Sequence, residues 1–228
     1  MTLKRALKSL RLFLLCLFLA FTAVQGWYLF QVWQLRNSQP QHSAFMARAA
    51  AQREQPLRHH YVPYSRISVH AKRAVIGAED SKFVEHHGFD IEGLKHAWDK
   101  NRDAGAPVAG GSTITQQLAK NLFLTGKRSY LRKVQEAMIA LYMETLLDKR
   151  RILELYLNYA EWGNGVYGIE AASRYYFGTP AAQLDSWQAA RLAAMLPKPR
   201  FYDRHGSTDW LQQKTAIVQR RAPKVVIP

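Results

Sequence analysis

The chain has 228 residues, 48% of them hydrophobic and 12% aromatic, enough for one packed domain of roughly 100–200 residues plus an additional segment. Lysine and arginine number 32 against 17 acidic residues. The resulting charge of +15 indicates an anionic partner, which could be nucleic acid, an anionic membrane surface or a phosphorylated substrate. The single cysteine, Cys16, excludes an internal disulfide and a cysteine-rich zinc site.

The N-terminal part contains a stretch long and apolar enough to cross a membrane. Residues 12–33 include no charged side chain, and at about 1.5 Å per residue a helix of this length crosses a hydrocarbon core of about 30 Å. Residues 1–11 carry four cations, whereas Arg36 alone follows closely, so these residues are predicted to be cytoplasmic and the rest periplasmic or extracellular. A cleaved signal peptide is the alternative, but Val24 and Gln25 make a poor cleavage site.

The remaining chain reads as a linker followed by a helical domain. Residues 34–66 are polar and contain three prolines, which predicts a juxtamembrane linker before a domain over 67–228. Apolar spacing predicts helices at about 68–85, 113–124, 129–159 with a break near Asp148, and 186–195. The glycine-rich residues 101–111 predict a mobile loop. Strand-like alternation is scarce, so the fold class is mainly α.

The first segment whose residues could take part in catalysis begins at Glu79 and reads E-D-S-K-F-V-E-H-H-G-F-D. At helical spacing Glu79, Phe83 and His86 share one face. A carboxylate beside an aromatic ring and near a helix end is a plausible general base, because partial desolvation raises its pKa. A solvated surface carboxylate is the alternative. No H-E-x-x-H spacing occurs, which disfavours zinc.

The second segment runs from Gly110 to Asn121 and reads G-G-S-T-I-T-Q-Q-L-A-K-N. Two glycines followed by Thr113 and then Gln116 predict a loop that enters a helix through a capping box. The exposed N–H groups of such a terminus attract anions, and Lys120 lies within reach of the glutamine side chains. An ordinary helix start would look the same. The absence of a G-K-[ST] ending disfavours a nucleotide P-loop.

The third segment places Arg132 and Lys133 four and three residues before Glu136, which puts both cations on one helical face with a carboxylate. A surface salt bridge has the same spacing. Together with Lys120 and Arg128, however, these cations could surround a diphosphate.

Taken together, the three segments closely resemble the peptidoglycan glycosyltransferase family (glycosyltransferase family 51), which also forms the N-terminal domain of bifunctional penicillin-binding proteins. The family motif E-D-x-x-F-x-x-H-x-G-F-D matches residues 79–90, G-G-S-T-I-T-Q-Q-L-x-K-N matches 110–121, and R-K-x-x-E matches 132–136. Further matches follow at 149–158, 168–172 and 196–199, so the resemblance extends over about residues 65–205.

The resemblance implies a lysozyme-like helical domain that needs no nucleotide sugar. The donor would be a glycan on undecaprenyl diphosphate and the acceptor lipid II, whose 4-hydroxyl loses its proton to Glu79 as a β-1,4 bond forms with inversion. Glu136, the second catalytic residue, would orient the cations or help to hold Mg²⁺ or Mn²⁺. Substrate contacts are expected from Asp80, Phe83, His86, Ser112, Thr113, Gln116, Gln117, Lys120, Asn121, Arg128, Arg132, Lys133 and Asn158.

The same resemblance suggests how the domain meets its surroundings. Phe123, Leu124 and Tyr130 could form part of a surface that enters the outer leaflet. No S-x-x-K, S-D-N or K-T-G set occurs, so a monofunctional enzyme without transpeptidase activity is expected in the bacterial inner membrane. Cell-wall synthesis or division proteins are candidate partners, and nucleic acid is not expected because the domain would be periplasmic.

Two other functions fit parts of the sequence. A lytic transglycosylase or lysozyme shares a glutamate in a helical cleft, but needs no cations for a diphosphate. A membrane-tethered module that binds polyanions would be salt-sensitive and indifferent to Glu79→Gln.

Overall fold

A computed structural model of the protein describes residues 3–106, 110–126 and 129–228. Within these ranges the chain is mainly helical, and its first helix includes a 28-residue apolar stretch, Leu7–Gln34, that is able to span a membrane. The predicted fold class is therefore confirmed.

Eleven α-helices, three short 3-10 helices and one small sheet occur in the described ranges. The helices are α1 (Leu3–Gln34), α2 (Ala44–Ala51), α3 (Val69–Glu79), α4 (Ile91–Asp103), α5 (Ile114–Phe123), α6 (Tyr130–Leu146), α7 (Lys149–Tyr159), α8 (Ile169–Phe177), α9 (Ser186–Met195), α10 (Pro199–His205) and α11 (Asp209–Arg221). The strands are β1 (Arg58–His59), β2 (Glu161–Gly163) and β3 (Val166–Tyr167). In the order β1-β3-β2, β3 pairs in parallel with β1 and antiparallel with β2.

Helix α1 has two parts that differ in their surroundings. Every side chain from 7 to 24 is exposed. From Gln25 onward the helix packs against α6, and Gln25, Val32 and Leu35 are buried at spacings of seven and three residues. One face of the second part of α1 therefore belongs to the helical domain.

The predicted linker over 34–66 is corrected from residue 44 onward. Helix α2 and strand β1 lie there, and Met46, Ala49 and Val62 are in the core. Ser43 caps α2 by accepting a hydrogen bond from the Met46 N–H. The sequence prediction failed because an alanine-rich helix of two turns shows little apolar contrast. The boundary at residue 67 is thus too late by about twenty residues, as judged from the start of α2.

The helix predicted at 68–85 is too long, because α3 ends at Glu79. Glu79, Phe83 and His86 therefore do not share a helical face. Asp80 leaves the helical conformation, with φ −161° and ψ 72°, and its carboxylate bonds to groups outside α3. These tertiary hydrogen bonds outweigh the weak intrinsic preference of the segment for helix.

The other predicted helices are confirmed closely. Helix α5 begins after Thr113 through the expected capping box with Gln116, and α9 covers 186–195. The predicted break near Asp148 separates α6 from α7, whose N-cap is Asp148. In the predicted loop, 101–103 belong to α4. Residues 107–109 lie outside the described residues, so that part of the loop stays a prediction.

The packing brings two groups of helices together around the motifs. Helices α3, α9 and α11 pack against one another, as do α5, α6 and α7. Glu79 is the last residue of α3 in the first group, whereas Lys120 and Glu136 come from α5 and α6 in the second. The sequence segments singled out above therefore meet where the two groups join.

Candidate active site

A buried cluster joins the first two motifs; we call Asp80, His86, Gly88, Thr113 and Ile114 the Asp80 cluster. Asp80 accepts the Ile114 N–H at 3.0 Å and a hydrogen bond from His86 Nε2 at 2.8 Å. The Gly88 N–H donates to His86 Nδ1 at 3.2 Å, which leaves the ring proton on Nε2. The Thr113 hydroxyl donates to the Gly88 carbonyl at 2.7 Å. The cluster thus fixes the start of α5 relative to the end of α3.

Gly88 is required in this cluster for two reasons. Its φ of +88° lies in the left-handed region that side chains disfavour. A Cβ atom there would also lie 3.1 Å from Cγ of Glu144, which is held by a hydrogen bond from Thr115 and an ion pair with Lys149. The crowding and the backbone conformation together explain a glycine at this turn.

Glu79 is half-buried, and its carboxylate accepts a hydrogen bond from Gln117 Nε2 at 2.8 Å. The other end of this amide is also fixed, because the hydroxyl of buried Tyr156 donates to Gln117 Oε1 at 3.0 Å. The two contacts make Gln117 present its amino group to Glu79. The chain of hydrogen bonds from α7 through α5 therefore orients the carboxylate.

Burial raises the pKa of Glu79 above its ordinary value. The hydrogen bond from Gln117 and the positive charges of Lys214 and Lys120 lower it in part, and the charge of Asp80 adds to the increase. A carboxylate with a raised pKa is a better proton acceptor than a solvated one, which suits a general base.

Lys120 is half-buried, and its ammonium makes no hydrogen bond or ion pair among the described residues. Burial lowers its pKa, whereas the negative charges of Glu136 and Glu79 raise it. Lys120 therefore lies within electrostatic reach of both carboxylates without being paired to either. An unpaired cation in such a position can receive an anionic substrate group.

Arg132, Lys133 and Glu136 form a second group of charges, which we call the Glu136 cluster. Arg132 contacts one oxygen of Glu136 at 2.9 Å and Lys133 contacts the other. Lys133 also donates to the Ser112 hydroxyl at 3.2 Å, so this cluster reaches the start of the second motif. The Glu136 side chain is only 3% exposed and contacts both cations, so it fixes their positions, and its predicted catalytic role stays a prediction.

The two partners of the hydrogen bond between Glu79 and Gln117 line two different cavities. The larger, about 670 Å³, is lined by Glu79 and Ser112 among others. The smaller, about 160 Å³, is lined by Gln117, Lys120 and Asn121. The Glu79 carboxylate, which lines one cavity and is bonded to a residue that lines the other, is suited to a reaction that joins two substrates.

Comparisons with known proteins show the family of the chain. A family model described as Transglycosylase matches residues 46–222. The chain belongs to this family. It is 52% identical to a "Biosynthetic peptidoglycan transglycosylase" of Alcanivorax borkumensis over 100% of the chain and 91% of the relative. Relatives with the same description occur in Dechloromonas aromatica (53% identity, 98% of each chain) and Chromobacterium violaceum (51% identity, 92% of the chain and 94% of the relative).

The structure divides the predicted substrate contacts of this transglycosylase into two sets. The side chains that are half-buried or exposed around the cavities and the Glu136 cluster are Ser112, Gln117, Lys120, Asn121, Arg132 and Lys133. Their contacts with substrate stay predictions. Arg128 lies outside the described residues.

The second set is corrected to a supporting role, because its members are buried, or half-buried in the case of His86, and already contact other groups of the protein. Phe83 is fully buried below Lys149, whose Nζ lies 4.5 Å from its ring centre. Asn158 is also fully buried and bonds to both backbone groups of Val62. The remaining members are Asp80 and His86 of the Asp80 cluster and the two capping residues Thr113 and Gln116.

The expected Mg²⁺ or Mn²⁺ ion near Glu136 stays a prediction, and the residues do not fit a site held by protein alone. Both oxygens of Glu136 are paired with cations. No three His, Cys, Asp or Glu side chains gather as a metal site within the described ranges. Divalent Mg²⁺ prefers several oxygen ligands, which this environment lacks.

Two contributors to the site were not predicted from the sequence. Tyr156 lies in the matched segment 149–158, so its position there was a usable signal. Lys214 acts on Glu79 from α11, far along the chain, and no motif marks it.

Proposed function

We propose that this transglycosylase lengthens peptidoglycan glycan strands by joining lipid II to a glycan on undecaprenyl diphosphate. One observation carries the proposal. Glu79, with a raised pKa, lines one cavity and is held by Gln117, which lines a second cavity together with Lys120, a cation that has no ion pair among the described residues. The arrangement provides a base for an acceptor hydroxyl and a cation for a departing diphosphate.

The reaction is a single displacement. Glu79 takes the proton of the acceptor 4-hydroxyl, whose oxygen forms a bond to the donor anomeric carbon. The bond between that carbon and the α-linked diphosphate breaks on the opposite face, which gives a β-1,4 linkage and free undecaprenyl diphosphate. A positioned base contributes about 10²–10⁴-fold to such a step.

The leaving diphosphate develops negative charge that the protein must balance. Lys120 has no competing ion pair among the described residues, and it sits within reach of Glu79. Arg132 and Lys133 are held nearby by Glu136. These three cations supply the stabilisation, and Glu136 contributes by fixing two of them.

The lipid chains of both substrates require the site to lie at a membrane. Helix α1 is the proposed anchor in the cytoplasmic membrane, with the N-terminus in the cytoplasm and the domain outside. Interaction with other cell-wall synthesis or division proteins belongs to the same proposal.

The membrane-facing surface is corrected by the burial of individual side chains. Leu124 is buried, and Phe123 is half-buried with its ring 6.1 Å from that of Tyr28. Tyr130 and Leu131, in contrast, are 94% and 84% exposed at the start of α6. The apolar surface proposed to enter the outer leaflet therefore includes Tyr130 and Leu131 rather than Phe123 and Leu124.

A lytic activity on finished peptidoglycan is less well supported. The relatives are described as biosynthetic, and a glycan-cleaving enzyme has no diphosphate to receive at Lys120. Incubation with purified peptidoglycan should release no sugar fragments. Fragment release that depends on Glu79 would favour the lytic function instead.

The proposal is tested by polymerisation of lipid II by the full chain in detergent, with the glycan products separated on a gel. Glu79→Gln keeps the shape of the side chain and removes the base, so polymer formation should fall by about 10²–10⁴-fold. Glu54→Gln, at an exposed position before β1, is the matched control. Equal polymer from Glu79→Gln and the wild type would remove the catalytic assignment. No polymer from the wild type would contradict the function itself.

A further inference from the structure

Gln25 is a buried polar residue within the apolar helix α1, and both ends of its amide make hydrogen bonds. Gln25 Nε2 donates to Gln135 Oε1 at 3.0 Å, and Gln135 Nε2 donates back to Gln25 Oε1 at 3.1 Å. The Tyr142 hydroxyl also donates to Gln25 Oε1, at 3.3 Å. Gln135 and Tyr142 both belong to α6, so the pair joins the two helices side by side.

A second contact holds the C-terminal end of α1. Arg151 of α7 donates from Nε to the Leu35 carbonyl at 2.8 Å and from a terminal nitrogen to the Ser38 carbonyl at 2.7 Å. A cation at this end also matches the helix dipole. From Gln25 to Leu35, at about 1.5 Å per residue, about 15 Å of helix is thus fixed to the domain at both ends.

Helix α6 also carries the Glu136 cluster. Gln135 is adjacent to Glu136 and lies three residues after Arg132. One side of α6 packs on α5, which carries Lys120, and another side packs on α1. Since Arg132 and Lys133 lie on α6, any shift of α1 against α6 changes where these cations lie relative to the membrane span.

The lengths of the two parts of α1 indicate how deep the helical domain lies relative to the membrane. The last charged residue before the span is Arg11, and at about 1.5 Å per residue the uncharged exposed part from 12 to 24 measures about 20 Å, less than the hydrocarbon thickness of about 30 Å. The docked part therefore runs through the outer leaflet up to headgroup level, where the exposed ring of Trp33 matches an aromatic belt. The diphosphate of a polyprenyl substrate lies at this same level, because it is the first polar group after the lipid chain.

We propose that Gln25 is a positioning residue: its amide pair with Gln135 locks the membrane span to α6 and holds Arg132 and Lys133 at the depth of the substrate diphosphate. The inference rests on the proposed polymerase function. A buried amide without its hydrogen-bond partner destabilises the structure, so the loss of either Gln25 or Gln135 should weaken the packing of α1 on α6.

The test uses the full chain in vesicles of phosphatidylethanolamine and phosphatidylglycerol. Gln25→Leu and Gln135→Leu are each expected to raise KM for lipid II by about three- to tenfold, the range of effects seen for hydrogen bonds between membrane helices, with kcat changed less than about twofold. Gln34→Leu makes the same chemical change at an exposed position of α1 and should leave KM unchanged. Equal KM values for Gln25→Leu and Gln34→Leu would overturn the proposal.

A cross-link tests whether the docked arrangement is the active one. Gln25→Cys with Gln135→Cys, in a Cys16→Ser background, places one thiol on each helix, and a bifunctional thiol reagent with a reducible spacer can join them across the length of the amide pair. The cross-linked protein should keep the wild-type KM, and reduction of the spacer should raise it as the single variants do. A cross-linked protein without activity would mean that α1 must leave α6 during the reaction, which contradicts the proposal.

A depth measurement separates this inference from the proposed function. A dye on Thr125→Cys, an exposed residue before α6, is quenched by brominated lipids according to its depth. Gln25→Leu should change the quenching profile and Gln34→Leu should not. If the wild type made no polymer, the proposed polymerase function would be contradicted, but the quenching profile would still show whether Gln25 holds α1 against α6. If the enzyme were active and Gln25→Leu left the profile unchanged, only the proposed role of Gln25 would be overturned.

Discussion

The Asp80 cluster and the pair formed by Glu79 and Lys120 are neighbours with opposite characters. In the cluster, Asp80 and His86 are paired on both sides by hydrogen bonds. Glu79, by contrast, has a carboxylate whose pKa is raised by burial, and Lys120 has no ion pair among the described residues. The difference teaches that residues whose hydrogen bonds are all made within the protein, here the Asp80 cluster, position neighbouring groups that remain available to substrate, here Glu79 and Lys120. Preorganised sites commonly have this arrangement.

The strongest test of this comparison removes the unpaired cation. Lys120→Met keeps the length of the side chain and removes its charge, so kcat for lipid II polymerisation should fall by about 10²-fold or more because the diphosphate loses a nearby positive charge. Lys95→Met, at an exposed position of α4, is the control. Activity within about twofold of the wild type would show that Lys120 does not face the leaving group.

The second test breaks the scaffold. Asp80→Ala leaves the Ile114 N–H and His86 without their partner, so the free energy of unfolding should fall by about 2–4 kcal/mol, measured by urea denaturation of the full chain in detergent. Asp99→Ala, in an exposed ion pair with Arg102, should cost less than about 0.5 kcal/mol. Equal costs for the two variants would contradict a structural role for the cluster.

The third test concerns the orientation and pKa of Glu79. The hydrogen bond from Gln117 favours the carboxylate and so lowers its pKa against the effect of burial. Gln117→Leu should therefore raise that pKa further, and the acid limb of the kcat/KM profile should move to higher pH. Gln213→Leu, exposed on α11, should leave the profile in place. A shift to lower pH would contradict the assignment of Glu79 as the base.

The smallest expected effect is a gain in stability. Because burial raises the pKa of Glu79 above its unfolded value, its contribution to stability is greatest below the unfolded pKa and is lost as the pH rises through the folded pKa. At neutral pH the uncharged Glu79→Gln should therefore melt about 2–4 °C above the wild type. Glu54→Gln should melt with the wild type. A lower melting temperature for Glu79→Gln would mean that the charged form is stabilised by the fold.

Much of the site could be predicted because the residue patterns that indicate it involve neighbours in the sequence. The capping box of Thr113 and Gln116 and the spacing of Arg132, Lys133 and Glu136 each lie within one helical turn, and both have the expected contacts. The break before α7 follows from Asp148 as an N-cap. In each case the partners are three or four residues apart, so sequence spacing fixes their geometry.

The predictions that failed depend on partners far away in the chain. The end of α3 at Glu79 depends on Ile114, and the buried position of Asn158 depends on Val62. Phe83 was expected beside a substrate, yet it packs in the core below Lys149. Residue type alone does not distinguish a contact with substrate from one with a distant segment.

The sequence by itself determined the family, the helical fold class, the apolar span and the identity of the reactive segments, since short motifs and hydrophobic length are read directly along the chain. The tertiary structure alone decided that Gln117 and Tyr156 orient Glu79, that Lys120 has no ion pair with any residue that the structure describes, and that Gln25 docks the span on α6. These features depend on burial and on hydrogen bonds between segments more than thirty residues apart, and local spacing carries no information about either.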